Sequence, residues 1–426
     1  MLDLIVNTLK QSGFYGWEVS QTLTEGWEFY FIRHELDQNR AKNVEHIKIK
    51  VYQPSGEGFI GSATAEVAPT ATPDEVKKLI ADLGYRATLV KNKIYTLNPP
   101  REGAAVDESA DLSAISGGFI SAMRALPETA GEDVNSYEIF VSSQTRRLIT
   151  STGIDVTERA PRSMLEAVVN ARTGGHEIEL YRNMRGGACD KAGVTRTLTR
   201  AMAYGRDRLI AQPTPALGTA DVLFSGDDCT TLCEFFADRM NAAMIARRMS
   251  DWEVGKPIAD DVTGDKVTLK ALRYLENSSC NAGYDDEGAP IRDTVMIEDG
   301  VAREILGGRM FSSYLGLENS FMPTNVELCG GTGDEESLRA GAYLEAVEFS
   351  DFQVDPMTGD IFGELRLGYL HGADGSVTPV TGGSLSGSMF DFVKNLRMSR
   401  ALTQYDNVRV PSLIRLSGVT VTGAAN

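Results

Sequence analysis

The stretch "CTTLCEFFADRM", Cys229–Met240, decides how the second half of the chain is read. Leu232, Phe236, Met240 and then Ala243 or Met244 recur at spacings of three and four, the period of a helix buried along one side. Asp227 or Asp228 can cap its start, and the spacing predicts a helix over 227–248. The surroundings have a different texture. "DVLFSG" (221–226) before it, and "DKVTLKALRYLE", "TVMIEDGVAREIL", "AYLEAVEFSDFQV", "DIFGELRLGYLH", "SVTPVTGGSLSGS" and "SLIRLSGVTVTG" after it, read as strands joined by Gly and Asp turns. One long helix among so many strands predicts a large curled antiparallel sheet, barrel-like, around a central helix.

Upstream, "QPTPALGTA" (212–220) places two prolines and a glycine between structured segments. It is expected to separate an N-terminal α+β domain, 1–212, from a C-terminal β-rich domain, 221–426. At 426 residues the chain is long for one core, which agrees with two domains. "MLDLIVNTLKQSGF" predicts an amphipathic helix with Leu2, Ile5, Val6 and Leu9 inward. Strands are expected at Trp27–Arg33, His46–Tyr52 and Phe59–Ala65, with turns at "DQNRAKN" (37–43) and "PSGEG" (54–58). A helix follows, with Thr72 as N-cap, Pro73 first, Glu75 completing a capping box and Gly84 just past its end. Residues 98–119 read as a loop that returns to helix in "SAISGGFISAMRALPE". Three strands and two turns are expected over 136–171, a further strand at "HEIELYRNMRGG", and a helix over 191–212. The whole is an α+β chain: an N-terminal α/β domain with antiparallel sheet, then the curled sheet.

Composition excludes several classes. Apolar residues are 42% and charged residues 24%, without the run of roughly 18 apolar residues that a membrane span requires. The N-terminus has no basic lead or small-residue cleavage site, so a cytoplasmic location is expected. Five scattered cysteines make reduced thiols, not a disulfide framework. A net charge of −17 without a basic block repels phosphate backbones, so no nucleic-acid partner is expected.

Cys233-Glu234-x-x-x-Asp238 has the outline of a metal-hydrolase motif without its histidines. Cys233 and Asp238 are five apart, about 140° around a helix, and would need a distorted turn such as a π-bulge to meet at one ion. Cys229 and Cys233 share one side, and Glu234 and Asp238 another. The ordinary reading is therefore a core-facing helix with small buried thiols and a solvated acidic face. A metal would need at least one further ligand. His34, His46, His176 and His371 are scattered, which excludes a His-rich cluster, and no G-x-S-x-G elbow exists. "TGGSLSGS" (381–388) and "CGGTGDEES" (329–337) lack the lysine and spacing of a phosphate loop and read as sheet turns. "YDDEGAP" (284–290) gathers Asp285, Asp286 and Glu287 without the alternation of a calcium loop; it is expected to be a turn, either touching substrate or shaping the sheet.

Four segments in order, "SSQTRRLITSTGIDV" (142–156), "DDEGAPIRDTVMIEDGVAREIL" (285–306), "GELRLGYLHGADGSVTPVTGGSLSGS" (363–388) and "LSGVTVTG" (416–423), resemble the TldD/TldE (PmbA) family, once called modulators of DNA gyrase. The resemblance implies an N-terminal α+β domain, a C-terminal sheet curled around a helix, and a cytosolic complex of two related subunits that degrades unfolded or small peptides. The TldD-type subunit carries H-E-x-x-x-H and a late cysteine as zinc ligands; the TldE type lacks them. Here Cys233 and Asp238 stand at the two histidine positions, Glu234 keeps the glutamate, and no cysteine follows Cys329. The expectation is a TldE-like subunit without zinc of its own, paired with an H-E-x-x-x-H subunit on a peptide substrate. A second expectation is a divergent peptidase with zinc on Cys233, Asp238 and one of Cys280, Cys329 or His371, and Glu234 as general base. A third is a non-catalytic homodimeric peptide-binding or scaffold protein, its partner a second copy of itself.

Overall fold

The structure, a computed structural model, describes residues 1–424. The first half runs α1 (Leu2–Gln11), β1 (Gly16–Ile32), β2 (Glu35–Gly56), β3 (Phe59–Val67), α2 (Pro73–Thr88), β4 (Asn92–Lys93), α3 (Leu112–Arg124), β5 (Glu132–Thr150), β6 (Asp155–Thr173), β7 (His176–Gly186) and α4 (Lys191–Ile210). Its strands form one antiparallel sheet in the order β4-β3-β2-β1-β5-β6-β7. Side chains alternate between its faces. On one face Val19, Ile47, Ile49, Ala63 and Ile149 pack under α1 and α2. Farther along the same face, Ile139, Val141, Leu165 and Ala167 pack under α3 and α4. The other face is polar: Thr22 lies opposite both His46 and Arg146, and Arg146 opposite Glu158, in one row across four strands.

Three expectations change here. "DQNRAKN" is not a turn: Gln38–Asn43 pair with Glu25–Tyr30 inside the long β1–β2 hairpin. The reversal falls at Arg33–His34, where Arg33 has φ 54°. β3 pairs with β2 only from Ile47 onward, so Gln38–Asn43 lie on an exposed strand edge and their composition mimics a loop. Residues 136–171 hold two long strands with one turn between, not three strands. Pro161 is tolerated inside β6 because β7 begins pairing only at Ser163, which leaves the proline without a ladder partner on that side. Gly84 lies within α2, where a Cβ would stand 2.6 Å from the Phe14 ring. It marks a close approach, not a helix end. The capping box of Thr72 and Glu75 is present as expected.

The second half runs β8 (Gln212–Pro213), β9 (Gly218–Phe224), α5 (Asp228–Arg239), α6 (Ala242–Ala246), β10 (Leu269–Leu272), β11 (Thr294–Glu298), β12 (Val301–Ala302), α7 (Arg309–Tyr314), β13 (Asn325–Leu328), α8 (Glu335–Leu338), β14 (Tyr343–Val354), β15 (Asp360–His371), β16 (Val377–Thr381), β17 (Ser384–Ser388), α9 (Met389–Phe392), β18 (Arg397–Met398), β19 (Leu402–Tyr405), β20 (Val408–Pro411) and β21 (Ile414–Thr422). Following the pairings β14-β9-β21-β17-β15 leads back to β14, so these strands close into a barrel. β8 and β16 extend it, so Gln212 and Pro213 are paired with Val380 and Thr381. A second sheet has the order β12-β11-β10-β13-β20-β19. The helix α5 lies in the core the two share: Leu232, Cys233, Phe235 and Phe236 pack with Val222, Leu344 and Leu416 of the barrel and with Leu269, Leu328 and Val410 of the second sheet. The protein is α+β, with a barrel-like sheet around a central helix. The helix expected over 227–248 is broken after Arg239: Asn241 is extended and accepts from Ala243 N at 2.8 Å, capping α6 as a new start. Among the described residues no helix is long and apolar enough to cross a membrane.

Candidate functional site

The opening motif sits on α5, a regular α-helix over Asp228–Arg239 with no π-turn to draw Cys233 and Asp238 together. Cys233 points into the core and is 1% exposed; burial pushes its thiol well above the ordinary range. Cys229 is equally buried, its Sγ 3.6 Å from the Phe224 carbonyl, and is pushed up to about 12. Glu234 and Asp238 are exposed, on the other side of the helix. Partial desolvation raises both carboxyls, and the Asp238 charge raises Glu234 further.

The distant candidates lie elsewhere. Cys280 lines a cleft beside Ser279; Cys329 directly follows β13, its Sγ 3.4 Å from Glu327; His371 stacks on Tyr343 and meets Glu345 at 3.2 Å. Glu345 also takes Ser225 and a forked pair of bonds from Arg339, so His371 belongs to a barrel-end network. Among the described residues no group of three or more His, Cys, Asp or Glu is placed to hold a metal ion. A cysteine holds zinc only as its thiolate, and a zinc site needs donors that converge on one point. A protonated thiol in an apolar core, with its two carboxylates facing away, does not fit that group.

The second cluster is one the sequence left open. Arg146, in the first resembling segment, and Asp285–Glu287, in the second, meet across the two halves. The Arg146 guanidinium pairs with Asp286, donates to Glu158 at 2.9 Å and reaches the Tyr284 carbonyl at 2.5 Å. Glu158, nearly buried, also accepts from Val106 N at 3.0 Å and Gly283 N at 2.6 Å. Asp285 is 4% exposed and accepts from the backbone N–H groups of Glu287, Ala289 and Met322 at 2.9, 2.9 and 3.0 Å. Its burial outweighs those bonds and pushes its carboxyl up to about 6. Glu287 accepts from Arg309 N at 2.6 Å and lies 3.5 Å from Lys50 Nζ. Asp285 and Glu287 therefore shape the loop, whereas the Asp286 side chain is 98% exposed and projects outward.

It projects into a cleft of about 1180 Å³ between the polar face of the seven-stranded sheet and the second half. From the sheet it is lined by Lys48, Arg146 and Arg162 together with Glu66 and Glu158, and from the second half by Met310, Phe311, Met322 and Pro323 together with Asp285, Asp286 and Glu287. Cys280 is held protonated by burial, which makes it a weak nucleophile, so the cleft offers charges and apolar surface for recognition. Nothing in the linear sequence announces this cleft. Its floor is written as period-two polar positions on four strands, and each strand alone looks like an ordinary solvent face.

The chain thus pairs a wide antiparallel sheet with a closed barrel around a buried helix. Residues 217–423 match the family model of the PmbA/TldA metallopeptidase C-terminal domain, so the second half carries a domain of the TldD/TldE (PmbA) type. It is similar over its whole length to TldE from Thermococcus kodakarensis, with 15% identity, 100% of both chains covered and a TM-score of 0.78. A Thermotoga maritima protein described as a modulator of a DNA gyrase aligns at 16% identity over 99% of both chains, with a TM-score of 0.79. A Bacteroides thetaiotaomicron protein described in the same words aligns at 14% identity over 99% of this chain and 98% of its own, at 0.78. At such identities the likeness is one of fold. No curated protein matches the chain.

Proposed function

We propose that this protein is a TldE-like subunit of a cytoplasmic metallopeptidase complex, without zinc chemistry of its own, that pairs with an H-E-x-x-x-H subunit and helps hold the peptide. The observation behind this is the orientation of α5: at the place where the family resemblance puts metal ligands, the thiol is in the core and the carboxylates point away from it. In a working site Glu234 would take a proton from metal-bound water; among the described residues no ligand set converges around α5 to supply it. The role left to the chain is structural and recognitive.

The test is zinc per chain by elemental analysis, on untagged protein dialysed against dilute zinc, together with peptide hydrolysis by the chain alone and mixed with an H-E-x-x-x-H subunit. The expected result is no stoichiometric zinc, no hydrolysis by the chain alone, and unchanged hydrolysis by the mixture when this chain carries Glu234→Gln. About one zinc per chain, lost in Cys233→Ser, with hydrolysis abolished by Glu234→Gln, would replace this with the divergent-peptidase reading. A stable homodimer that ignores the other subunit would favour the scaffold.

A further inference from the structure

The seven-stranded sheet ends in two different ways. At one end, β4 is two residues long and covers only Phe59 and Ile60 of β3. At the other, β7 runs for 11 residues, paired with β6 from His176 to Gly186 without a bulge or a proline, and among the described residues no strand lies on its far side. A long, straight edge of that kind is a template for another strand. The pairing tells which groups face out. Gly174 and Gly175, with φ 55° and 84°, form a two-residue hairpin turn, so Thr173 and His176 are a bonded pair and bonding alternates from there. Even-numbered residues of β7 therefore bond to β6, and Glu177, Glu179, Tyr181, Asn183 and Arg185 turn their N–H and C=O groups outward. Two bonds agree with this phase. The Gly187 N–H, just past the strand, donates outward to the Asn277 carbonyl at 2.8 Å, and the Tyr181 carbonyl accepts from the Arg182 guanidinium at 2.8 Å. Among the described residues no main-chain bond of Glu177–Arg185 leads away from β6.

The order of side chains along β7 fits one neighbour. Its acidic and basic residues are Glu177 and Glu179 near the start and Arg182 and Arg185 toward the end. Laid antiparallel on a copy of itself about a two-fold axis through Tyr181, the strand sets Glu177 opposite the partner's Arg185, Glu179 opposite the partner's Asn183, and Tyr181 opposite the partner's Tyr181. All of these are outward-bonding pairs, so the ladder and the charges ask for the same register. On the other face Ile178 meets the partner's Met184. Both are only partly buried at the margin of the core under α3 and α4, and pairing completes their cover. Arg185 forms no ion pair among the described residues; its Nε rests on Asn183 at 3.2 Å. Glu177 is held by Arg172 through Oε1 alone, which leaves its second oxygen. Arg182 stays on Glu348, and its bond to the Tyr181 carbonyl leaves that oxygen a second lone pair. Tyr181 itself, at the centre of the arrangement, is 54% exposed. A parallel copy in register would set Glu beside Glu and Arg beside Arg. The edge charges that deter indiscriminate pairing thus admit this one.

We propose that β7 is a self-pairing edge: two copies of this chain join antiparallel across Tyr181 into one continuous sheet. About nine residues a side make a small interface, so the pair is reversible and half-formed at micromolar concentrations. Asn277 marks where the pairing stops, because its carbonyl takes the Gly187 N–H. No residue of β7 lines the cleft or belongs to α5, so this inference goes beyond the function proposed above and stands or falls separately from it.

The experiment is sedimentation velocity of the full chain from roughly 1 to 200 μM, where a shift from monomer to dimer is expected. Glu177→Arg and Arg185→Glu each set like charges opposite one another twice, and each should weaken the dimer about tenfold; the two changes together restore opposite charges and should bring it back. Cross-linking supplies a second readout. In a bonded antiparallel pair opposing Cα atoms stand about 5.5 Å apart, within reach of a disulfide, so Tyr181→Cys should give a linked dimer under mild oxidation. Glu177→Cys should not, because its two copies lie about eight residues, roughly 27 Å, apart along the strands. A chain that stays monomeric throughout would overturn the proposal. So would a dimer indifferent to either single swap, which uses another surface, or a double swap as weak as the single ones. Linkage of Tyr181→Cys no greater than that of Glu177→Cys would overturn it as well.

Discussion

At the scale of single residues, burial decides which titratable groups matter. Cys233→Ser puts a hydroxyl into the core around α5 and is expected to cost about 1–3 kcal/mol, read from the urea midpoint, with zinc content unchanged. Asp228, at the start of the same helix, is pushed up to about 7 from the ordinary aspartate value, first by burial and then by the Asp227 and Glu348 charges, with Arg182 opposing. A raised folded-state value means that the native protein holds a proton which the unfolded chain has released. The contribution is full below about pH 4 and is lost as pH rises toward 7, at no more than ~1.4 kcal/mol per pH unit. Stability measured at pH 5 and pH 8 should therefore differ more in the wild type than in Asp228→Asn, and equal differences in the two would contradict the assignment. The sequence named Asp228 only as a possible cap. The Arg182 and Glu348 that face it come from strands far away in the chain, so its environment was not legible there.

At the scale of elements, the periodic signals were the legible ones. The stripe of α1 and the capping box of α2 are local chemistry, and each was readable within one stretch of sequence. What misled was sequence whose meaning depends on a partner. The polar Gln38–Asn43 is strand because β1 lies beside it, and Gly84 is inside α2 because Phe14 comes too close for a side chain. Gly84→Ala tests this. Helix propensity alone would make it stabilising by up to ~1 kcal/mol. The contact with the Phe14 ring predicts a net loss in melting temperature instead, recovered when Phe14→Leu is added, and a simple gain in the single variant would refute it.

At the scale of the molecule, polar bonds help join the two halves: Arg146 to Asp286 and the Tyr284 carbonyl, Arg182 to Glu348, and the Arg309 side chain to the Thr96 carbonyl at 2.7 Å. Adjacent arginines should behave very differently. Arg146→Ala strands nearly buried Glu158 without its charge partner and is expected to lower stability by about 3 kcal/mol. Arg147→Ala removes a pair with Asp155 in which both side chains are about half exposed, and should lower it by less than ~1 kcal/mol. Denaturant titration separates the two, and equal effects would mean that Arg146 does not hold the halves together. The order of strands and the central helix could be read from texture, so the fold class was within reach. The cleft and the α5 orientation were not, because both are set by side chains that the chain brings together from more than a hundred residues apart.

The barrel has a consequence for how the protein is made. Its first strand, β9, needs β21 as a neighbour, so Val222 waits for Leu416 through nearly half of translation. Until residue 422 has cleared the ribosome, β9 and β17 present open edges, and α5 has only part of its apolar wall. The seven-stranded sheet, whose last strand β7 ends at Gly186, can form long before that. A nascent chain stalled late in synthesis would thus carry a finished front half and a sticky, unclosed back half, the species on which a holding chaperone would act.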